Sequence, residues 1–219
     1  MTRKPRAARA TSRSPGPRRT RERPPSPVKA RPKAESPESD PAAIEINNLQ
    51  SHVRITDRTV RAIVRAAFTA EQVAGGTLSV VLADNATVRR VNREFLRHDY
   101  DTDVLSFLFE STSVAVREAK PLGAARRGRG LHIDGEVLAS AEMAAQMAGR
   151  FGWSAREELT LYLVHGLLHL CGYDDLTPPE RRIMRGREKG ILAELGIVAR
   201  PAGRRRVGRR RTAKNGSPS

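Results

Sequence analysis

The sequence predicts an α+β domain, a small mixed β-sheet packed with about five helices, with a metal site on the central helix and the loop after it. Three observations carry that expectation. Short runs of strand character are interleaved with longer runs of helical period. One helical run, residues 154–172, is apolar nearly all round and so reads as buried. On that run His165 and His169 stand one turn apart, and a glycine and two aspartates follow them in the stretch HGLLHLCGYDD.

Taken in order, AIEINNLQ (43–50) has strand character and opens the domain. TDRTVRAIVRAAFTAEQV (56–73) starts at a Thr/Asp cap and repeats Val60, Ile63, Val64 and Ala67 at helical spacing. TLSVVLAD (77–84) reads as a strand and NATVRRVNREFL (85–96) as a second helix. DVLSFLFE (103–110) and LHIDGEVLAS (131–140) read as two more strands, joined by an exposed loop over 111–130. AEMAAQMAGR (141–150) is helical, SAREELTLYLVHGLLHLCG (154–172) is the central helix, and PPERRIMRGREKGILAEL (178–195) closes the domain. A domain over 43–199 is long enough to bury roughly 70% of its unfolded surface.

Charge separates that domain from its flanks. The chain carries a formal net charge of +16, and residues 1–42 and 200–219 account for it while the middle is formally neutral. The first tail is rich in Pro, Arg, Ser and Ala and poor in large apolar groups, so it is expected to be disordered. The second, GRRRVGRRRTAK, is of the kind that binds phosphate backbones by counterion release. RNA, DNA or an anionic membrane surface would each satisfy such charge. A single cysteine, Cys171, excludes an internal disulfide and fits a reducing compartment. No signal-peptide apolar region follows the basic N-terminus, and no apolar run is long enough to span a bilayer. These features predict a cytoplasmic protein without membrane insertion.

The central helix carries the chemistry. Ser154 is placed as its N-cap, with Glu157 completing a capping box. Tyr162, His165 and His169 fall on one stripe of an otherwise apolar helix, and a buried imidazole needs a partner. His165 and His169 are spaced to grip one ion, Gly172 is placed to end the helix in a left-handed turn, and Asp175 lies where a third ligand reaches the open side. Two imidazoles, a carboxylate and an open fourth position suit zinc. Asp174 is the competing third ligand. Cys171 lies roughly 160° around the helix from His169 and is expected to pack. In HExxH peptidases a glutamate follows the first histidine as general base; here that position is Gly166.

These residues, with NREFLRHDYDTDVLSF (92–107) and GEVLAS (135–140), resemble the YbeY family of bacterial rRNA-maturation endoribonucleases. That family's pattern runs close to H-G-x-L-H-L-x-G-Y-D-H, preceded by N-x-x-Y-R-x-x-D-x-P-T-D-V-L-S-F. The resemblance covers most of residues 44–197. It implies a zinc-dependent, single-strand-specific endoribonuclease in 16S rRNA 3′-end maturation and ribosome quality control, with ribosomal RNA and the small ribosomal subunit as partners. His165 and His169 match the first two metal ligands, and Asp175 stands where the family has a third histidine. The family arginine falls on Leu96, leaving Arg97 as a stand-in for a phosphate contact. Asp101 replaces the family proline and Glu136 an aspartate. Arg126, Arg127 and Arg129 form a second candidate RNA contact, with a solvated turn as the plain alternative. His98 and His132 are expected to lie apart from the site; Thr102, Asp103 and Ser106 match the family run, and capping and strand hydrogen bonds would also explain them. A non-catalytic RNA-binding assembly factor with a structural metal is the competing function. A metallopeptidase is the weaker third.

Overall fold

The computed structural model describes residues 42–113 and 126–198; both tails beyond them and residues 114–125 of the predicted loop lie outside the described residues. Among the described residues the elements follow the predicted order. They are β1 (Ala43–Asn48), α1 (Asp57–Glu71), β2 (Gly75–Ala83), α2 (Asn85–Val91), β3 (Val104–Ser113), β4 (Leu131–Ser140), α3 (Ala141–Phe151), α4 (Ala155–Leu170) and α5 (Pro178–Glu194). The fold is α+β, as predicted.

Two segments depart in detail. The run expected as one helix over 85–96 widens into a π-helical turn at Asn92–Leu96, where the Asn92 carbonyl accepts from the amides of Arg97 and His98. The buried Asn92 amide also donates to the Tyr100 carbonyl, which draws the following chain back over the turn. β3 runs three residues past its predicted end, because Ser111, Thr112 and Ser113 still pair with Ile133, His132 and Leu131. Those three carry no apolar alternation, so periodicity could not signal them.

The sheet order is β1-β2-β4-β3, with β2 parallel to both neighbours and β3 antiparallel to β4. Strand periodicity sends Leu78, Val80, Ile133, Val137 and Ala139 into the main core, with Val60, Ile63, Val64 and Phe68 of α1 and the leucines of α4. On another face Val88 of α2 packs with Ala83, Leu105 and Leu138. Phe109 falls at a bulge in the β3 register and is exposed.

α4 sits at the centre because it is apolar on almost every side. Leu159, Leu163, Val164, Leu167 and Leu168 are all fully buried, each worth roughly 1.5–3 kcal/mol of transfer free energy. Its start is fixed by the predicted capping box, in which Ser154 Oγ accepts from the Glu157 amide and the Glu157 carboxylate accepts from the Ser154 amide. Gly172 takes a left-handed φ of 86° after the helix, and the Tyr173 amide donates back to the Leu168 carbonyl. The chain is thereby turned so that Tyr173, Asp174 and Asp175 come back past the C-terminal end of α4. Among the described residues no helix is long and apolar enough to cross a membrane.

Candidate metal centre

His165 and His169 project from the same side of α4, their rings edge to face with centroids 4.6 Å apart. Each Nδ1 has an acceptor. His169 Nδ1 lies 2.9 Å from the Tyr173 carbonyl oxygen, and His165 Nδ1 lies 2.6 Å from Glu188 Oε1 on α5. A carbonyl and a carboxylate only accept, so both Nδ1 atoms carry the proton. In neutral rings the Nε2 atoms are then left as lone pairs, and they face each other at 3.1 Å. Two lone pairs at that distance repel unless a cation or a shared proton lies between them. Two nitrogens each about 2.0–2.1 Å from a tetrahedral zinc stand about 3.3 Å apart, so the observed spacing suits an ion of that size.

The third group comes from the loop. Potential ligand atoms of His165, His169 and Asp175 all lie within 4.8 Å of one another, and each residue is half-buried. The loop itself distinguishes the two aspartates. Asp174 Oδ1 accepts from the amides of Asp175 (2.6 Å) and Leu176 (3.1 Å), so that oxygen shapes the turn. Asp175 is the one brought to the histidines. The donor set, two imidazole nitrogens and one carboxylate with one side open to a pocket, therefore fits a zinc ion or a similar divalent cation. Electrostatics agree with a place built for positive charge. Burial draws the His165 pKa down, but the Glu188 carboxylate, with smaller help from Asp103 and Asp175, outweighs it and leaves the pKa raised.

Behind the site is a buried network. The Glu71 carboxylate at the end of α1 is fully buried and accepts from Tyr173 Oη (2.8 Å) and Arg187 Nε (2.6 Å). The Arg127 guanidinium lies over the Tyr173 ring at 4.8 Å, donates to the Gly172 carbonyl and pairs with Glu180 at 2.6 Å. Tyr173 thus joins the carbonyl that orients His169 to a buried ion pair between α1 and α5. Further along the polar stripe of α4, burial raises the pKa of Glu158, against a hydrogen bond from Tyr162.

Gly166 is explained by close approach. A Cβ there would lie 2.9 Å from Ser106 Oγ and Val137 Cγ1 and 3.0 Å from Val104 Cγ2, and Ser106 Oγ donates to the Gly166 carbonyl at 3.0 Å. The position that bears the general base in HExxH enzymes is here pressed against the sheet, with no room for a glutamate.

The remaining predicted residues fall in several places. Cys171 is buried among apolar groups, which pushes its thiol pKa up, and it is not in the ligand cluster. His98 stacks on Tyr100 and His132 is exposed on β4; neither joins the cluster. Asp103 caps the start of β3 by accepting from the Val104 amide and the Thr102 hydroxyl. Arg97 is exposed in a left-handed conformation at the end of the π turn. Arg126 and Arg129 are half-buried in the turn before β4, while Arg127 donates to the Gly172 carbonyl before the Tyr173 loop and to Glu180 on α5. Sequence reasoning missed Glu71 and Glu188. Both had a signal: each is an acid on the apolar stripe of its helix, Glu71 after Val60, Val64 and Ala67, and Glu188 between Met184 and Ile191.

Comparison with known proteins places these features in a group. A family model described as "Endoribonuclease YbeY" matches residues 45–196. A protein of Salinibacter ruber named "Endoribonuclease YbeY" is 38% identical over 156 residues, 71% of this chain and 94% of its own length. One of the same name from Carboxydothermus hydrogenoformans is 36% identical over 155 residues, 70% of this chain and 97% of its own. Among solved structures, the solution structure of a Thermotoga maritima protein matches at TM-score 0.41 and 17% identity, covering 76% of this chain and 100% of that one.

Proposed function

Because the chain belongs to the YbeY endoribonuclease family, we propose that it is a metal-dependent endoribonuclease that cuts single-stranded RNA, with His165, His169 and Asp175 holding the metal. The observation that carries this reading is the facing Nε2 pair at 3.1 Å with the Asp175 carboxylate beside it, a donor set that suits a bound cation. Zinc is the proposed ion. When bound, it would supply Lewis acidity toward a phosphoryl oxygen and a water acidified toward neutrality.

The protein's own share is to prepare that place. Glu188 and the Tyr173 carbonyl fix both rings in the tautomer that offers Nε2. Asp175 contributes a negative charge where a third imidazole would be neutral, which lowers the charge of the site and predicts a less acidified water. Gly166 lets α4 lie against β3 and β4, which sets where the histidines emerge.

At finer grain, the proposed substrate is ribosomal RNA, in 16S rRNA 3′-end maturation and ribosome quality control, with the small ribosomal subunit as partner and the cytoplasm as location. The proposed domain is 43–199. Tails 1–42 and 200–219, with Arg97 and the 126–129 turn, would add salt-sensitive affinity for the RNA backbone.

The test is cleavage of a single-stranded rRNA fragment by purified, zinc-loaded protein, alongside metal analysis. His165→Ala and His169→Ala should each lose the metal and reduce cutting by about 100-fold or more. Unchanged cutting by the double variant would trace the activity to a contaminant and end the reading. Tight RNA binding without cleavage by the wild type would instead favour the assembly-factor alternative.

A further inference from the structure

α5 brings more than Glu188 to the metal centre. The pocket that opens beside the histidines is lined by His165, Asp175, Arg181, Met184, Arg185 and Glu188. Two of these are carboxylates, and a phosphodiester monoanion entering beside them would be repelled by both. The two arginines sit four residues apart, so they share one face of the helix. They are not equivalent. The Arg181 guanidinium donates to the carbonyls of Asp175 (3.1 Å) and Leu176 (3.5 Å), which ties down the loop carrying the third candidate ligand. Arg185 is exposed, and among the described residues it is the cation of this lining with neither a hydrogen bond nor an ion pair. Its guanidinium donors are thus left open toward the pocket by the described residues. That planar fork matches the two non-bridging oxygens of a phosphate better than an ammonium does. Arg97, at the end of the π turn, is not among the lining residues.

We propose that Arg185 is the contact for the non-bridging oxygens of the phosphodiester brought to His165, His169 and Asp175, with Arg181 positioning the loop beneath it. The proposal rests on the endoribonuclease reading and gives that site its phosphate-binding residue.

The test compares Arg185→Gln, Arg185→Lys and, as a control, Arg182→Gln, an exposed arginine of the same helix outside the lining. Each is made in the full zinc-loaded chain. Three quantities are read: zinc content, kcat/KM on a single-stranded RNA oligonucleotide, and the dissociation constant of the deoxydinucleotide TpT, which has no 2′-hydroxyl. Arg185→Gln should keep its zinc, lose about 10- to 100-fold in kcat/KM, and weaken TpT binding by about tenfold. Arg185→Lys should recover part of both, and Arg182→Gln should match wild type. The proposal is overturned if Arg185→Gln binds and cuts like wild type, if Arg182→Gln falls equally, or if the loss follows departure of zinc. The two readings fail separately. Wild-type protein that binds TpT through Arg185 but cuts no RNA would refute the nuclease and keep the phosphate site. Wild-type cutting with Arg185→Gln unimpaired would do the reverse.

Discussion

Two regions of this molecule come from equally recognisable sequence runs and are built in opposite ways. The loop after α4 is held from every side: the Tyr173 hydroxyl is bound to buried Glu71, its ring lies under Arg127, and its carbonyl orients His169. The stretch from the π turn into β3 leaves Phe95, Leu96, Tyr100, Leu108 and Phe109 exposed, and its buried anchors are the amide of Asn92 before the strand and Val104 and Leu105 at its start. The difference teaches what each can do. A site that must present ligand atoms to a small ion needs them fixed to within about half an ångström, which takes supporting hydrogen bonds on rigid elements. An exposed surface that holds no ion has no such requirement.

The contrast is best broken at its buried end. Glu71→Ala removes a carboxylate with no solvent access and leaves Arg187 without its ion-pair partner and the Tyr173 hydroxyl without its acceptor. The expected cost is about 2–4 kcal/mol in urea denaturation, because the half-buried Arg187 charge loses its counter-ion and is left with its bond to the Ala70 carbonyl. Metal affinity should fall with it, since Tyr173 also positions His169. A variant as stable as wild type would mean that the loop is held by something other than this network. Glu188→Gln is a smaller change at the same end. It keeps the shape of the side chain while weakening the bond to His165 Nδ1, and zinc affinity should drop by about 10- to 100-fold with stability little changed. Equal zinc affinity in titration against a chelating dye would reduce Glu188 to a bystander.

What the sequence made legible follows the same division between local and distant causes. The capping box at Ser154 and Glu157, the left-handed Gly172 and the pairing of His165 with His169 all act within a few residues, so spacing alone announces them. The difference between Asp174 and Asp175 lies in the loop's own hydrogen bonds, which send an Asp174 oxygen to two backbone amides. Glu188 reaches His165 from 23 residues away, and Arg187 meets Glu71 across 116. No periodic pattern encodes which distant helix will arrive. The sequence could show only that an acid sat on an apolar stripe, and an acid in a charge-rich helix reads first as surface. In the sequence Gly166 shows that the HExxH base is absent, which points away from a peptidase. Its meaning is steric and depends on Val104 and Val137, strand residues that come to lie against α4 only once the sheet forms.

The exposed end yields the mildest prediction and the sharpest question about substrate binding. Leu96 occupies the position at which the resembling family carries an arginine, and it is 44% exposed, so Leu96→Arg requires no desolvated charge. Stability should stay within about 0.5 kcal/mol of wild type in denaturant titration. If the phosphate is met by Arg185 on α5, a cation added on the π turn lies outside the pocket lining and kcat/KM should stay near wild type. A gain of about tenfold or more would show that the scissile phosphate passes the π turn. It would move the phosphate contact from the tightly held region to the loosely held one, and with it the assignment of Arg185. The same variant in an Arg185→Gln background separates the two outcomes. Restored cutting would make the positions interchangeable cations around one phosphate, whereas continued loss would leave α5 as the side from which the substrate is held.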